Sequence, residues 1–526
     1  LKHDILVAMA VVILLPLAIV YGVWRESLPK LDGSLVAAGL MAPVKIERDR
    51  LGVPTLTAAN RVDLAYATGF IHAQDRFFEM DLSRRLAGGE LSELFGAVAV
   101  EQDKQTRLFH FRKVARAVIE AAPPEQRAVL EAYARGVNAG LAGLGSRPWE
   151  YWVLGSPPVA WRPEDTILVE HSMWWDLQAN GLQREMLRRE INARIGGKEC
   201  DAGWKCGLRF FYPARTEWDA PDGVLAGPGG AAATASDIVP PAAGIPGPDV
   251  VDVRGATAAA AAGHGAATAL ASDASSGAAG PDTLAFSGAA AGDRLHDAGS
   301  NNWALAGRLT TTGAALVASD MHLGQRVPTL WYHARLRTIG TASEPALDLT
   351  GVTLPGAPLL VAGSNGHIAW GFTNSYGDWL NVELVPCTSV GENELQTAAG
   401  VLPLTVEREE IHVKGAPPVV EEVKSGPAGT LLRAEPDRQM CWFGAWLATL
   451  PAATNMNLIG LEHATSVDEA MALAPSVGIP HQNFVVGDRG GHIGWTIYGR
   501  IPTDSGAERA TGHSPWTTAE THPRIV

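Results

Sequence analysis

With 526 residues, the chain is long enough to build several hydrophobic cores. Apolar residues make up 46% and charged residues 19%, a globular composition that excludes a disordered chain. The formal net charge is −14 and no basic run occurs, which argues against a nucleic-acid partner because phosphate contacts need clustered cations.

The first element is apolar. From Ile5 to Trp24 the sequence reads ILVAMAVVILLPLAIVYGVW without a charge. That length crosses the ~30 Å hydrocarbon core of a bilayer as a helix. Pro16 is compatible with a membrane helix. Lys2 precedes the stretch and Arg25 and Lys30 follow it, so flanking charge hardly orients it. No small-x-small cleavage site follows closely, which favours an uncleaved anchor over residues 1–26 rather than a signal peptide. The expectation is a periplasmic or otherwise extracytoplasmic protein held at the inner membrane by residues 5–24.

A first block spans residues 31–220. VKIERDRLGVPTLTA (Val44–Ala58) alternates around a Gly-Val-Pro turn and predicts a strand pair. Arg61–Gly96 follows with Ala65, Gly69, Phe70, Ala73, Phe77, Met80 and Leu82 near a 3.6-residue period, which predicts helix. Helical patterns continue through Glu125–Ala142 and Glu164–Ile195. The four cysteines suit an oxidising compartment: Cys200 and Cys206 could close a short loop, Cys387 and Cys441 could join later segments, and three pairings are formally possible. No nearby His completes a zinc site with the first two.

From about Gly223 to Gly299 the composition turns to Ala, Gly and Pro with hardly a large apolar residue. Such a stretch buries too little surface to offset the ~1–2 kcal/mol per residue that ordering costs, and by composition alone it reads as a flexible linker. Beyond Ser300 the pattern becomes strands with tight turns. Asn301–Gly307 and Ala315–His322 flank TTTG, PLLVAG and HIAWGFTN flank Ser364-Asn365-Gly366, and Gln482–Gly499 turns at Asp488-Arg489-Gly490-Gly491. A helical stretch is expected between the last two, roughly over Ala452–Ala474.

The chain contains no Gly-x-Ser-x-Gly elbow, His-Glu-x-x-His, Walker loop or Rossmann fingerprint after a strand. His322 and His367 stand alone on predicted strands, where a packed or surface role is the commoner one. GSNNWALAG (Gly299–Gly307) is different: its Gly-Ser step follows the insert directly and opens a buried-looking strand. A serine there, exposed as a new N-terminus, carries an α-amine with a pKa near ~7.7–8.0. That amine can serve as general base for its own hydroxyl, with no histidine required.

Four segments carry a family resemblance in consistent order: DRLGVPTLTAANRVDLAYATGFIHAQDRFFEMDLSRRLAGGELSELFG, GSNNW followed by ASDMHLG, GSNGHIAWGFTNSYGDWLNVE, and VVGDRGGHIGWTIYGRIP. On them the chain resembles the penicillin acylase (penicillin amidase) family of N-terminal nucleophile hydrolases, which includes acyl-homoserine lactone acylases. The resemblance implies an α+β fold, the four-layer αββα sandwich, C-terminally truncated here. It also implies autocatalytic cleavage at Gly299–Ser300. Residues 221–299 then become an excised spacer between a small subunit (31–220) and the start of a large one (300–526), paired as an α/β heterodimer. Ser300 becomes the nucleophile. His322 is implied beside it, hydrogen-bonding near its amine, and Asn374 aligns with a backbone oxyanion donor. The second donor, an Asn side chain, falls beyond Val526.

The resemblance further implies a structural calcium ion and no organic cofactor. Asp378 and the Pro502 carbonyl match its ligand positions, with Glu185, Leu380 and Asn381 assigned to the same site. Asn381 stands where the family often has Asp, which weakens the anionic oxygen set calcium prefers, and Asp378 reads equally as a turn residue after Gly377. Met173, Trp174, Trp175, Leu177, Leu323 and Phe372 align with an acyl pocket, although such a cluster is more often core. The expected substrate is a small N-acyl amide: a β-lactam side chain, an N-acyl homoserine lactone or similar. The rival reading is an unprocessed, non-catalytic envelope protein that keeps the fold for binding or scaffolding.

Overall fold

The alternation of Leu56 and Ala58 with Thr55 and Thr57 buries one face of a short strand and starts the scaffold. The computed structural model describes residues 2–195, 300–324, 326–340, 345–377, 379–504, 516–518 and 524–525; for 2–11, 13, 188–195 and from 502 on, only the backbone is described. The helices are α1 (Lys2–Glu26), α2 (Arg61–Gly88), α3 (Ser92–Phe95), α4 (Val100–Arg107), α5 (Phe111–Ala121), α6 (Pro124–Ala142), α7 (Trp149–Val153), α8 (Pro163–Gln178), α9 (Asn180–Ile195) and α10 (Val467–Ala472). The strands of the first half are β1 (Lys45–Arg48), β2 (Pro54–Ala58), β3 (Ser300–Leu305), β4 (Leu316–Met321), β5 (Tyr332–Thr338), β6 (Asp348–Thr353), β7 (Leu360–Ser364), β8 (Ile368–Asn374) and β9 (Leu380–Val385). They continue as β10 (Ser389–Val390), β11 (Glu394–Thr397), β12 (Gly400–Pro403), β13 (Thr405–Ile411), β14 (Val419–Gly426), β15 (Gly429–Glu435), β16 (Met440–Trp446), β17 (Gln482–Asp488), β18 (Ile493–Tyr498), β19 (Pro502–Asp504), β20 (Trp516–Thr518) and β21 (Arg524–Ile525).

Among the described residues, nine strands form the main sheet in the order β1-β2-β5-β6-β7-β8-β17-β18-β21, antiparallel throughout except at β2–β5. Helices α2, α6 and α8 cover one side through a core that includes Ala65, Phe77, Tyr133, Val137 and Val169. The β3–β4 hairpin lies on the other side: a Cβ added at Gly371 of β8 or Gly487 of β17 would strike Ser319 or Ala315. Helix layer, sheet and hairpin make a mixed helix-and-sheet architecture. A separate sheet, β13-β14-β15-β16-β9, follows from residues for which the pattern offers no expectation, and the Cys387–Cys441 disulfide lies beside its β9–β16 edge. Cys200 and Cys206 lie outside the described residues.

The ends of α2 follow from two residues. The Asn60 side chain accepts the Asp63 N–H at 2.8 Å, capping the first turn. Gly89 closes the helix at φ 62°, with its N–H on the Leu86 carbonyl. The mostly helical stretch expected over Arg61–Gly96 is therefore α2 followed by the short α3. The Glu164–Ile195 pattern is likewise split, by a turn at Ala179 between α8 and α9. The helical expectation for Ala452–Ala474 needs correction: the α-helix is confined to α10, preceded by 3-10 turns at Pro451–Ala453 and Asn457–Glu462. Asn455 explains the difference, because its amide bonds the Ser476 carbonyl and the Gly478 N–H and holds a turn instead.

Much of the apolar surface of α1 that is described faces outward. Val12, Leu14, Leu15, Leu17, Ile19, Val20 and Tyr21 are each more than half exposed. Among the described residues no helix is long and apolar enough to cross a membrane; the part of α1 with described side chains, 12 and 14–26, spans about 20 Å. Contacts divide the chain into one unit of residues 1–185 with 286–526, and a second of 186–285. Of the second, the described part is the last turns of α9. The expected spacer lies outside the described residues.

Candidate active site

The hairpin that carries Ser300 is fastened at both ends. At its turn, Gly307 donates to the Gly491 carbonyl and Ala315 to the Asp488 carbonyl, at 2.9 and 3.0 Å. Near its open end the Asn302 amide reaches the carbonyls of Gly371 and Asn483, both at 3.4 Å. Ser300 is thus fixed beside the ends of β8 and β17, paired with Met321. Its Oγ accepts the main-chain N–H of His322 at 3.2 Å. The contact of His322 with the serine is therefore through the backbone; its ring bonds Asp320 at 2.9 Å and is half exposed.

Asn374 ends β8 opposite Gln482 of β17. Its carbonyl accepts from the Asn483 amide at 3.1 Å, and its own amide reaches the Leu177 carbonyl at 3.5 Å. Among the described residues its Oδ1 is buried without a partner. The following residue is held too: Ser375 donates to the His481 carbonyl, and the Trp379 ring stacks on His481 with centroids 3.7 Å apart.

A cavity of about 100 Å³ opens between α8 and the sheet. Ser300, Leu323, Phe372, Asn374, Met173 and Leu177 all line it, so the residues aligned separately along the sequence converge there. On α8 the spacing of Met173 and Leu177 puts them one turn apart on one face. Trp174 and Trp175 point elsewhere: Trp174 bonds Thr454 and meets the edge of His481, while Trp175 packs against Phe109 and Trp446. These two are core, as aromatic clusters usually are. His367 sits at the β7–β8 turn and takes no part in the cavity.

The far wall is held by a buried relay. His72 contacts the Tyr133 hydroxyl at 2.8 Å and Thr353 Oγ1 at 2.9 Å, and Thr353 in turn donates to the Tyr332 carbonyl. That order assigns the His72 proton to Nε2. Burial lowers His72 to about 3, so it stays neutral. Tyr133 also accepts the Gly356 N–H, fixing the 354–359 segment whose Leu354, Ala357 and Leu359 line the cavity.

Sequence reasoning missed Glu170. It lies at i−3 and i−7 from Met173 and Leu177, on the same cavity, and is 8% exposed. Burial alone raises its carboxyl to about 8. The signal was an acid inside the apolar run ILVEHSMWW of a helix (Ile167–Trp175). Trp331, another lining residue, was missed as well.

The calcium positions are only partly placed. A Cβ at Gly181 would meet Leu380, and Arg184 lies over the Tyr376 ring at 5.7 Å, so the α9 turn that includes Glu185 faces the segment leading to Asn381. Asp378 and Gly299 lie outside the described residues, and Pro502 is described in backbone only, paired with Thr518. Among the described residues no three His, Cys, Asp or Glu side chains gather as a metal site. Of the assigned donors, the described ones are the Glu185 carboxylate, the Asn381 amide and main-chain carbonyls, oxygen ligands of the kind calcium takes.

The arrangement is that of a serine at the head of a strand, opening on an apolar cleft in a mixed helix-and-sheet scaffold. The chain belongs to the penicillin amidase family, whose pattern matches residues 43–523. It is 28% identical to the acyl-homoserine lactone acylase QuiP of Pseudomonas aeruginosa over 493 residues, covering 91% of this chain and 52% of that protein. The penicillin acylase 2 proenzyme of Pseudomonas sp. (strain SE83) is 28% identical over 95% of this chain and 59% of its own length. The penicillin G acylase of Escherichia coli is 26% identical over 90% and 55%. The chain thus spans about half the length of the curated relatives it matches. Among solved structures, the thermostable penicillin G acylase of Alcaligenes faecalis aligns with a TM-score of 0.33 at 16% identity, over 43% of this chain and 39% of that one, a likeness too slight to define the fold.

Proposed function

We propose that the complete protein is an amidohydrolase that cleaves a small N-acyl amide through Ser300, freed as an N-terminus by its own cleavage of Gly299–Ser300. The observation that carries this reading is the convergence of Ser300, Asn374 and the apolar residues Met173, Leu177, Leu323 and Phe372 on one cavity. In maturation Ser300 Oγ attacks the Gly299 carbonyl carbon, the peptide C–N bond breaks as the nitrogen takes a proton, and water hydrolyses the resulting ester. The free amine, with a pKa near ~7.7–8.0, then takes the Oγ proton as Oγ attacks the substrate carbonyl. The Asn374 N–H is assigned to the developing oxyanion, a donor of a kind typically worth about 3–4 kcal/mol. The proton passes to the leaving amine, and water releases the acyl group from Ser300. His322 shapes the nucleophile's surroundings through its main-chain N–H, which donates to Oγ.

The apolar lining suits an aliphatic or phenylacetyl-like acyl group. The relatives named acyl-homoserine lactone acylase and penicillin acylase support N-acyl homoserine lactones or β-lactam side chains as the substrate class. The relative named a proenzyme supports processing of a precursor; the paired small and large subunits and the four-layer fold belong to the same reading. A structural calcium at Glu185, Asp378, Leu380, Asn381 and Pro502 belongs to the same reading and takes no part in the chemistry. We also place the bulk of the protein outside the cytoplasm, anchored by Ile5–Trp24, which the exposure of Val12, Leu14, Leu15, Leu17, Ile19, Val20 and Tyr21 supports.

Intact-mass analysis with N-terminal sequencing of the complete protein and of Ser300→Ala tests this. The expected result is two chains, one beginning at Ser300, and a single uncut chain for the variant. One uncut chain in both, from a folded sample, would leave the binding or scaffolding reading in its place.

A further inference from the structure

The cavity has two ends. Ser300, Leu323, Asn374 and Gln482 mark the reactive end, where the Asn374 amide touches the Leu177 carbonyl. Glu170 lies two turns away along α8, about 10 Å at 1.5 Å per residue. Its neighbour Val169 sits against Gly356, and Val169, Leu354, Ala357 and Trp331 pack in one cluster, which places Glu170 and Trp331 toward the end opposite the nucleophile.

Both residues carry a polar atom that nothing among the described residues satisfies. Among the described residues Glu170 Oε2 and Trp331 Nε1 are buried without a hydrogen-bond partner, in a cavity whose lining also includes Leu354, Ala357, Leu359 and Val361. A buried polar group left unpaired is destabilising, so a carboxyl and an indole N–H on one cavity call for a ligand that pairs with them. We propose that Glu170 and Trp331 form a polar subsite that recognises an oxygen substituent, hydroxyl or oxo, on the acyl chain of the substrate, remote from the scissile carbonyl. This rests on the reading of Ser300 as the nucleophile of an N-acyl amidase.

The hydrogen-bonding chemistry selects oxygen. The indole N–H only donates. The Glu170 carboxyl, raised to about 8 by burial, is protonated at neutral pH and donates as well. Two donors in an apolar end require an acceptor, which a plain alkyl or phenyl group lacks. A site of this kind favours the oxygenated chain because the unsubstituted one leaves the two donors unpaired. Glu170 and Trp331 are specificity residues, and the chemistry at Ser300 does not pass through them.

The test compares kcat/KM of the complete protein on the p-nitroanilide of decanoic acid and on its counterparts carrying a hydroxyl or oxo group toward the far end of the chain. The expected wild-type preference for an oxygenated chain is tenfold or more, expressed in KM. Glu170→Leu should lose at least tenfold of that ratio, while Glu170→Gln, which keeps a donor, should retain most of it. Equal rates on plain and oxygenated chains, or a preference untouched in Glu170→Leu, would overturn the subsite and leave the amidase reading standing. If Glu170→Leu fails to fold, Glu170→Gln and Trp331→Phe carry the comparison. If no anilide is cleaved, the amidase reading is what fails, and calorimetry of the same protein with the free acids decides the subsite. Tighter binding of the oxygenated acid upholds it, and equal affinity sinks it.

Discussion

At the scale of single residues, burial sets the behaviour of the two titratable groups behind the cleft. His72 is held neutral, and Glu170 is raised from 4.5 to about 8. An acid whose pKa is higher in the folded state contributes stability that is complete below pH 4.5. That contribution shrinks as pH rises and is gone above about 8. For Glu170 the loss by pH 7 is about 3 kcal/mol. Glu170→Gln cannot ionise, so its unfolding free energy relative to wild type should improve by about that much between pH 4.5 and 7. Urea titrations at the two pH values measure it; parallel behaviour of the two proteins would show that Glu170 is already ionised in the fold. Ser300 and four of the apolar residues that meet at the cavity stand out in the sequence, because motif order and family resemblance mark them. Glu170 and Trp331 do not, since the lack of a partner is a property of the surroundings.

At the scale of elements, the α2–α6 contact depends on three glycines. A Cβ at Gly136 would fall on the Tyr66 carbonyl oxygen, one at Gly69 on that of Tyr133, and one at Gly140 on that of Phe70. The backbones therefore approach too closely for any side chain. Separating them would disturb Tyr133, whose hydroxyl holds His72 and Gly356 at the cavity wall. Gly136→Ala should destabilise the protein by about 3 kcal/mol, at the upper end of overpacking effects, and lower the denaturation midpoint accordingly. An unchanged midpoint would mean that the helices can part without cost. Gly69 was visible in the sequence as one more small residue in a helical period, but its contact with α6 was not, because the partner lies some 65 residues on.

At the scale of the whole molecule, the proposed cleavage cuts a chain whose two sides are already interlocked. Arg61 pairs with Glu462 at 2.7 Å in a buried site, Tyr332 donates to Asp75, and His72 meets Thr353. Trp446 donates to Gln178 and His171 meets the Ala448 carbonyl, at 3.1 Å each. These bonds join α2 and α8 to strands and turns after Ser300, so cutting before Ser300 leaves the core intact. The two processed chains should co-elute in native size-exclusion chromatography and part only in denaturant. Separation in native buffer would show that residues after Ser300 do not need the helices.

Local pattern determined much of the outline: the Val44–Ala58 strand pair, the long helix from Arg61, and the β3–β4, β7–β8 and β17–β18 hairpins. Each of these is specified by contacts a few residues apart, where period and turn chemistry act directly. The 452–474 region misled because Asn455 diverts the chain through bonds to Ser476 and Gly478 that no local period reveals. Only the tertiary structure decided that α8 faces the ends of β8 and β17 and that Trp174 and Trp175 turn into the core. It also left Glu170 Oε2 buried without a partner among the described residues. Those outcomes depend on which surfaces meet across more than a hundred residues of chain, and burial and hydrogen bonding over such distances exist only once the layers have packed.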